Sequence, residues 1–362
     1  MEYLVDIIRR KIRKNESNNQ IIQKGNVYFM IDKNFQDIIT NIKEDICKTQ
    51  LDIMINANTN LVNLYYRLGK IIYENSNWGD KFIDNVALEL KLSFPRQKGF
   101  SVRNLKYMKS FYKEYKDNSE FVQLVAQIPW KHNILLIQKV KDINARKWYI
   151  EKCIEEGWAE SILMYQIDTD LYTRQVKNIK HTNFKLTLKE NSDLANNMLK
   201  EPYVFDLIEL TDDYKEKELE NKLVERLKNV LLELGSGFSF VGNQYKITVG
   251  NQDFYIDLLF YHIKLKCYIA VELKTSEFIP EFGSKLGFYL TALDEKIKDE
   301  NDNPSIGIIL CQSKNNEIVD YTLKYINKPV GVSEYKIFNK LTSKLLKELP
   351  TEKDIITHLE KR

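Results

Sequence analysis

Cysteine is scarce in this sequence, with four in 362 residues, at positions 47, 153, 267 and 311. No Cys-x-x-Cys pair occurs. Neither a disulfide framework nor a structural zinc site is indicated, and free thiols suit a reducing cytoplasm. Histidine is equally sparse: His132, His181, His262 and His358 are dispersed along the chain. No apolar run reaches the length that spans a bilayer, and the N-terminus lacks the small-residue cleavage site of a secretory signal. Membrane insertion and secretion are both disfavoured. An excess of one charge is missing too: 54 basic residues face 51 acidic ones, a net of +3. A nucleic-acid function must therefore show as local clustering. No internal repeat is visible. Gly235-Ser-Gly237 lacks the Gly-Lys-Ser/Thr ending of a phosphate loop and follows a helical pattern. It reads as a helix cap and turn, with no nucleotide cofactor implied.

What is present is ample apolar content, 43%, in a chain long enough for two domains. Residues 1–34 read as an appendage, with a short basic helix over Met1–Lys14. Residues 35–176 read as a helical domain. Its helices are expected over Asp37–Ser76, either continuous or broken near Asn56, and over Gly79–Ser93, Ser101–Lys116 and Asn144–Glu156, with Pro95, Gly99 and Pro129 in loops. Residues 177–215 read as a connecting arm, 216–349 as a second domain and 350–362 as a tail. The second domain predicts a helix over Glu216–Leu234, then strands Phe238–Val249, Phe254–His262 and Cys267–Lys274. A helix over Pro280–Lys298, a strand over Ser305–Gln312, a helix over Glu317–Ile326 and a strand over Gly331–Ile337 follow. The fold class is a two-domain α+β chain, mostly helical at its N-terminus and with a mixed-sheet α/β domain at its C-terminus.

Two stretches in the second domain carry the chemistry: Phe254-Tyr-Ile-Asp257-Leu-Leu-Phe-Tyr261 and Tyr268-Ile-Ala-Val-Glu272-Leu-Lys274. Both have the aromatic and β-branched composition of buried strands. Side chains alternate along a strand, so Glu272 and Lys274 share a side. A hairpin centred on Lys264 and Leu265 sets residue 257 opposite residue 272, because positions paired in an antiparallel ladder have a constant sum. Asp257, Glu272 and Lys274 are then expected on one patch, on the face of Tyr255, Leu259, Tyr261 and Ala270. Two adjacent carboxylates repel one another unless a cation lies between them. Mg²⁺ is commonly held by one or two carboxylates plus substrate phosphate. With a lysine alongside, the set suits metal-assisted phosphodiester hydrolysis. The plainer alternative is a solvent-facing strand side with scattered charges.

The Asp257…Glu272-Leu-Lys274 arrangement resembles the PD-(D/E)xK nuclease superfamily, with Ile256 where the proline usually stands. Further stretches narrow the likeness: Leu234-Gly-Ser-Gly-Phe-Ser-Phe-Val-Gly242, Phe254 to His262, Phe288-Tyr-Leu290 and Pro304-Ser-Ile-Gly-Ile-Ile-Leu-Cys311. Together they resemble the bacterial YhcG-like nucleases, which join a nuclease domain to a helical N-terminal domain. The resemblance extends from about Asn58 to Glu348. It implies a restriction-endonuclease-like fold, DNA as substrate, and Mg²⁺ or Mn²⁺ held by Asp257, Glu272 and the Leu273 carbonyl, with Lys274 assisting the nucleophile. It also implies a third acid on the preceding helix. There Leu219, Leu223, Leu227, Val230, Leu231 and Leu234 form one stripe. Glu220 falls near its middle and Glu225 nearly opposite. Glu220 is the first candidate and Glu216, one turn earlier, the second; the alternative is that Glu220 borders the stripe and reaches water. On the helix after the second strand many members carry Gln-x-x-x-Tyr. This chain has Lys285 and Tyr289, a DNA contact or, for Tyr289, a packing residue. A homodimer would suit cleavage of both strands.

In the helical domain, Lys91–Lys116 holds eight basic residues against one acid, Glu114. Ser101 is placed to cap a helix whose apolar face is Val102, Leu105, Met108, Tyr112 and Tyr115. A basic second helix of a helix-turn-helix can enter a DNA major groove. Ser101, Arg103, Asn104, Lys106 and Tyr107 are the DNA-binding candidates, although the loop before them is longer than a usual turn. The alternative is a solvated lysine-rich face.

Overall fold

The computed structural model describes residues 33–78, 81–188, 190–205 and 214–337. The helix expected over Met1–Lys14 and the tail 350–362 lie outside them. The chain divides into two compact units, Met1–Ile167 and Asp168–Arg362.

The first unit is helical: α1 Lys33–Glu74, α2 Phe82–Ser93, α3 Val102–Tyr115, α4 Ser119–Val125, α5 Trp130–Lys139, α6 Ile143–Glu156 and α7 Glu160–Asp168. Of the two alternatives for this helix, broken or continuous near Asn56, the continuous one is found. The Asn58 side chain bonds the Ala126 and Ile128 carbonyls at 3.1 Å each, so its amide leaves the α1 ladder intact. Helix α3 starts where Ser101 caps it, the hydroxyl accepting from Asn104 N at 3.3 Å. Its buried face is Leu105, Met108, Phe111 and Tyr115; Tyr112 lies half-buried at the border. Each such burial contributes roughly 1.5–3 kcal/mol. Gly69 permits a close approach of α1 and α3: a Cβ there would stand 2.1 Å from the Met108 carbonyl oxygen. Trp130 packs edge-on against Tyr65 and Phe111 at 4.8 and 5.1 Å.

The second unit runs β1 His181–Thr182, α8 Phe184–Thr187, α9 Ser192–Met198, β2 Tyr203–Phe205, α10 Glu216–Glu225, α11 Leu227–Leu234, β3 Phe238–Val249, β4 Gln252–His262, β5 Cys267–Glu277, α12 Pro280–Lys296, β6 Ile306–Ser313, α13 Asn316–Tyr325 and β7 Val330–Ile337. The sheet order is β1-β7-β6-β5-β4-β3, with β2 also on β7. Strands β5, β6 and β7 are parallel and β3, β4 and β5 antiparallel, giving the mixed sheet expected.

The expected arm is part of this sheet: His181 pairs with Val332 and Tyr203 with Tyr335. Strands of two and three residues are too short to show a period, so the pattern could not reveal them. The expected single helix over 216–234 is broken at Arg226 (φ −107°, ψ 30°). Leu219, Leu223, Val230 and Leu234 still reach one core with Leu258, Phe260, Val271 and Leu273. The apolar stripe crosses the break and hides it. On the other sheet face, α12 and α13 cover Ile256, Leu259, Ala270 and Ile309.

Candidate active site

Strands β4 and β5 pair from Leu258–Val271 to His262–Cys267, the register expected. One step further sets Asp257 opposite Glu272. His262, at the hairpin end, is buried and accepts from Leu265 N at 3.1 Å, a structural role.

Asp257, Glu272 and Lys274 converge. Asp257 Oδ2 accepts from Leu273 N at 2.9 Å. Glu272 is 0% exposed, and its Oε1 lies 2.5 Å from Lys285 Nζ and 3.2 Å from Lys274 Nζ. Lys274 Nζ also donates to the Leu273 carbonyl at 2.8 Å and lies 3.0 Å from Glu216 Oε2. Burial first, and then the Glu272 charge, push the Asp257 carboxyl up to about 6. Burial lowers the Lys285 ammonium pKa, but its hydrogen bond and ion pair with Glu272 outweigh that and raise it.

The arrangement fits a hard divalent cation on two observations. Asp257 is burdened by the neighbouring carboxylate, and Glu272 Oε2 is buried without a hydrogen-bond partner. Among the described residues no three His, Cys, Asp or Glu side chains form a metal-holding group. A cation here would meet no more than two such side chains, so water and phosphate oxygens would have to complete its shell, as Mg²⁺ accepts.

Glu220 is buried as expected, but it reaches the site through an amide. It accepts from Asn243 Nδ2 at 3.1 Å and from Gln244 Nε2 at 2.7 Å, and the same Gln244 nitrogen lies 3.2 Å from Asp257 Oδ1. Glu216, the second candidate, sits on Lys274 instead. Glu225 faces away and pairs with Lys222. Asn243 and Gln244 were not foreseen; a polar pair interrupting an apolar strand was the available signal.

One expectation is overturned. Tyr255 does not share the face of Leu259 and Ala270 but is exposed; Phe254 and Ile256 pack there instead. The alternation changes phase at Asp257. Asn243–Leu258 and Tyr245–Ile256 are paired, whereas Gln244 and Asp257 between them drop out of the ladder. Gln244 has a left-handed backbone (φ +44°). A local irregularity of this kind resets which side chains face inward.

Helix α12 begins with Pro280 at its first turn. It brings Lys285 onto Glu272, while Tyr289 is buried beneath, its ring centroid 5.3 Å from Lys285 Nζ. That is the packing alternative for Tyr289.

In the helical unit, Asn104 is committed to structure. Its Nδ2 donates to Gly99 O at 2.5 Å, and its Oδ1 accepts from Trp130 Nε1 at 2.8 Å. Ser101 is the cap. Arg103 and Lys106 are exposed. Tyr107 accepts from Arg103 Nε and Gln138 Nε2, both at 2.9 Å, and these hydrogen bonds lower the phenol pKa. Arg103, Lys106 and Tyr107 thus remain available at the surface. Among the described residues no helix is long and apolar enough to cross a membrane.

Comparison with known proteins matches residues 196–351 to the YhcG PDDEXK nuclease domain and residues 41–174 to the DUF1016 N-terminal domain. A protein of Escherichia coli (strain K12) described as "Putative nuclease YhcG" is 26% identical over 364 residues, covering 90% of this chain and 93% of that one. Among solved structures, a repair endonuclease from Pyrococcus abyssi is 19% identical, with a TM-score of 0.24, over 35% of this chain and 49% of that one. An EndoMS–dsDNA complex is 17% identical, with a TM-score of 0.25, over 37% and 47%. The match covers about half the length of each of these two.

Proposed function

We propose, from the premise that the chain belongs to the YhcG-like PD-(D/E)xK nucleases, that it is a metal-dependent DNA endonuclease brought to its substrate by the helical unit. The observation that carries this reading is the meeting of Asp257 and Glu272 with Lys274 beside them. Mg²⁺ or Mn²⁺ would be held by Asp257, Glu272 and the Leu273 carbonyl, with Glu220 supporting Asp257 through Gln244. Bound there, such a cation supplies a more acidic water and neutralises charge on a phosphate.

The protein's own groups do the rest. Lys274 presents ammonium protons beside the two carboxylates, where it can hydrogen-bond an attacking water or a phosphoryl oxygen. Lys285, half-exposed and on Glu272, can turn to a phosphate of the incoming strand. The apolar walls beneath keep the ion pairs dry and therefore strong. On the helical unit, Arg103 and Lys106 offer a cationic surface to the duplex, with Tyr107 beside them. Four free thiols suit action in the cytoplasm.

The test is cleavage of duplex DNA by the purified protein. Cleavage should appear with Mg²⁺ or Mn²⁺ and vanish with chelator. Asp257→Ala and Lys274→Ala should each lower the rate by about 10²–10³-fold or more, with folding and DNA affinity retained. Asp257→Ala protein that cuts like wild type would remove the assignment. Branched DNA and RNA, tested beside duplex, define the substrate. A non-catalytic DNA-binding role remains the second reading, favoured if no metal supports cleavage.

A further inference from the structure

We propose that Gln244 is a positioning residue of this site: from a left-handed irregularity in β3, its amide ties Glu220 to Asp257 without adding charge, which leaves the carboxylates able to hold a divalent cation. The inference rests on the metal-dependent reading above and deepens it.

Three observations carry it. The first is the backbone. Gln244 adopts φ +44°, a region that L-residues with a Cβ avoid. Gln244 and Asp257 stand opposite one another yet are the step missing from the ladder between Asn243–Leu258 and Tyr245–Ile256. Conformations of this kind persist where the surroundings enforce them, and they gather at functional sites.

The second is what the irregularity achieves. One side-chain nitrogen lies 2.7 Å from Glu220 Oε2 and 3.2 Å from Asp257 Oδ1, bridging α10 to β4. Asn243 meets the other Glu220 oxygen at 3.1 Å. Glu220 is 5% exposed. A carboxylate so buried must be satisfied, and here both of its oxygens accept from neutral amides.

The third is the contrast with Glu272, whose Oε1 meets two ammonium groups, from Lys274 and Lys285. An ammonium at position 244 would offset the negative charge that a cation needs. An amide fixes the geometry and leaves that charge in place.

The experiment uses the full chain, stripped with chelator, and follows its thermal midpoint as MnCl₂ is added, each variant being referred to its own metal-free midpoint. The informative variant is Gln244→Gly. Glycine takes the left-handed backbone readily, so the irregularity survives and only the amide is lost. Wild type should be stabilised by Mn²⁺, and Asp257→Ala should not respond. Gln244→Gly should have a lower metal-free midpoint, because Glu220 Oε2 loses its partner, and, referred to that midpoint, should need at least tenfold more Mn²⁺ for half its effect. If Gln244→Gly responds at the same Mn²⁺ concentration as wild type, Gln244 does not position the site and the nuclease reading stands. If wild type itself gains nothing from Mn²⁺, the metal reading fails and this inference falls with it.

Discussion

Several ion pairs of the helical unit lie in water. Lys70–Glu74 and Lys147–Glu151 are each about half-exposed on both sides. Even the buried Arg146 reaches Glu114, whose carboxylate is open to solvent. The sheet unit keeps exposed pairs too, such as Lys246–Asp253, but it also buries some. Arg174 and Glu233 meet at 2.5 Å with almost no exposure, and Glu272 sits fully buried between two lysines. Exposed pairs contribute little to stability, whereas a buried charge is tolerated only when its partners are in place. Charge in the first unit is surface chemistry, available to a polyanion. Buried charge in the second is architecture, and in one place the candidate active site.

The largest effect expected from this contrast is Arg174→Ala. It strands Glu233, which also accepts from Val204 N at 2.9 Å, and should cost about 3–5 kcal/mol in denaturant unfolding of the sheet unit. Lys70→Ala should leave the midpoint unchanged. Equal losses from the two would erase the distinction.

A smaller effect of opposite sign should come from Asp257→Asn. The Asp257 carboxyl lies near 6 in the folded chain against an ordinary 3.8. The native state thus binds the proton more tightly. Its stabilising contribution is complete below about pH 3.8 and is lost as pH rises through about 6. In chelator at pH 7, Asp257→Asn should gain about 1 kcal/mol, and its stability should change less than that of wild type between pH 4 and 7. A variant no more stable than wild type would place the burden on Asp257 elsewhere.

Arg103→Ala with Lys106→Ala should weaken duplex binding alike across sequences. The slope of log affinity against log salt should fall by about 1 for each residue that meets phosphate, with folding intact. An unchanged slope would make this helix a merely solvated face. Ser101→Ala, the smallest, should cost about 1 kcal/mol through loss of the α3 cap, read from the unfolding of the helical unit.

Legibility differed between the units for a physical reason. In the sheet unit, alternation and the constant-sum rule were enough to bring Asp257 to Glu272, and strands β3 to β7 stand close to where the pattern put them. In the helical unit, α4, α5 and α7 escaped notice because one to three turns leave little periodicity to read. Within the site, the sequence pointed to Glu220 on the apolar face of its helix. It could not show that Glu220 would be joined to Asp257 by Gln244, because that contact depends on one backbone angle.

Length, composition and alternation were enough for the two-unit plan and for the register of the β4–β5 hairpin that brings Asp257, Glu272 and Lys274 together, since these follow from local spacing. Only the folded chain decided that β1 and β2 complete the sheet, that Tyr255 turns outward, that Tyr289 packs while Lys285 reaches Glu272, and that Gln244 links two carboxylates. Each of these depends on groups distant in sequence sharing a buried volume, where the cost of an unsatisfied charge or amide selects the arrangement.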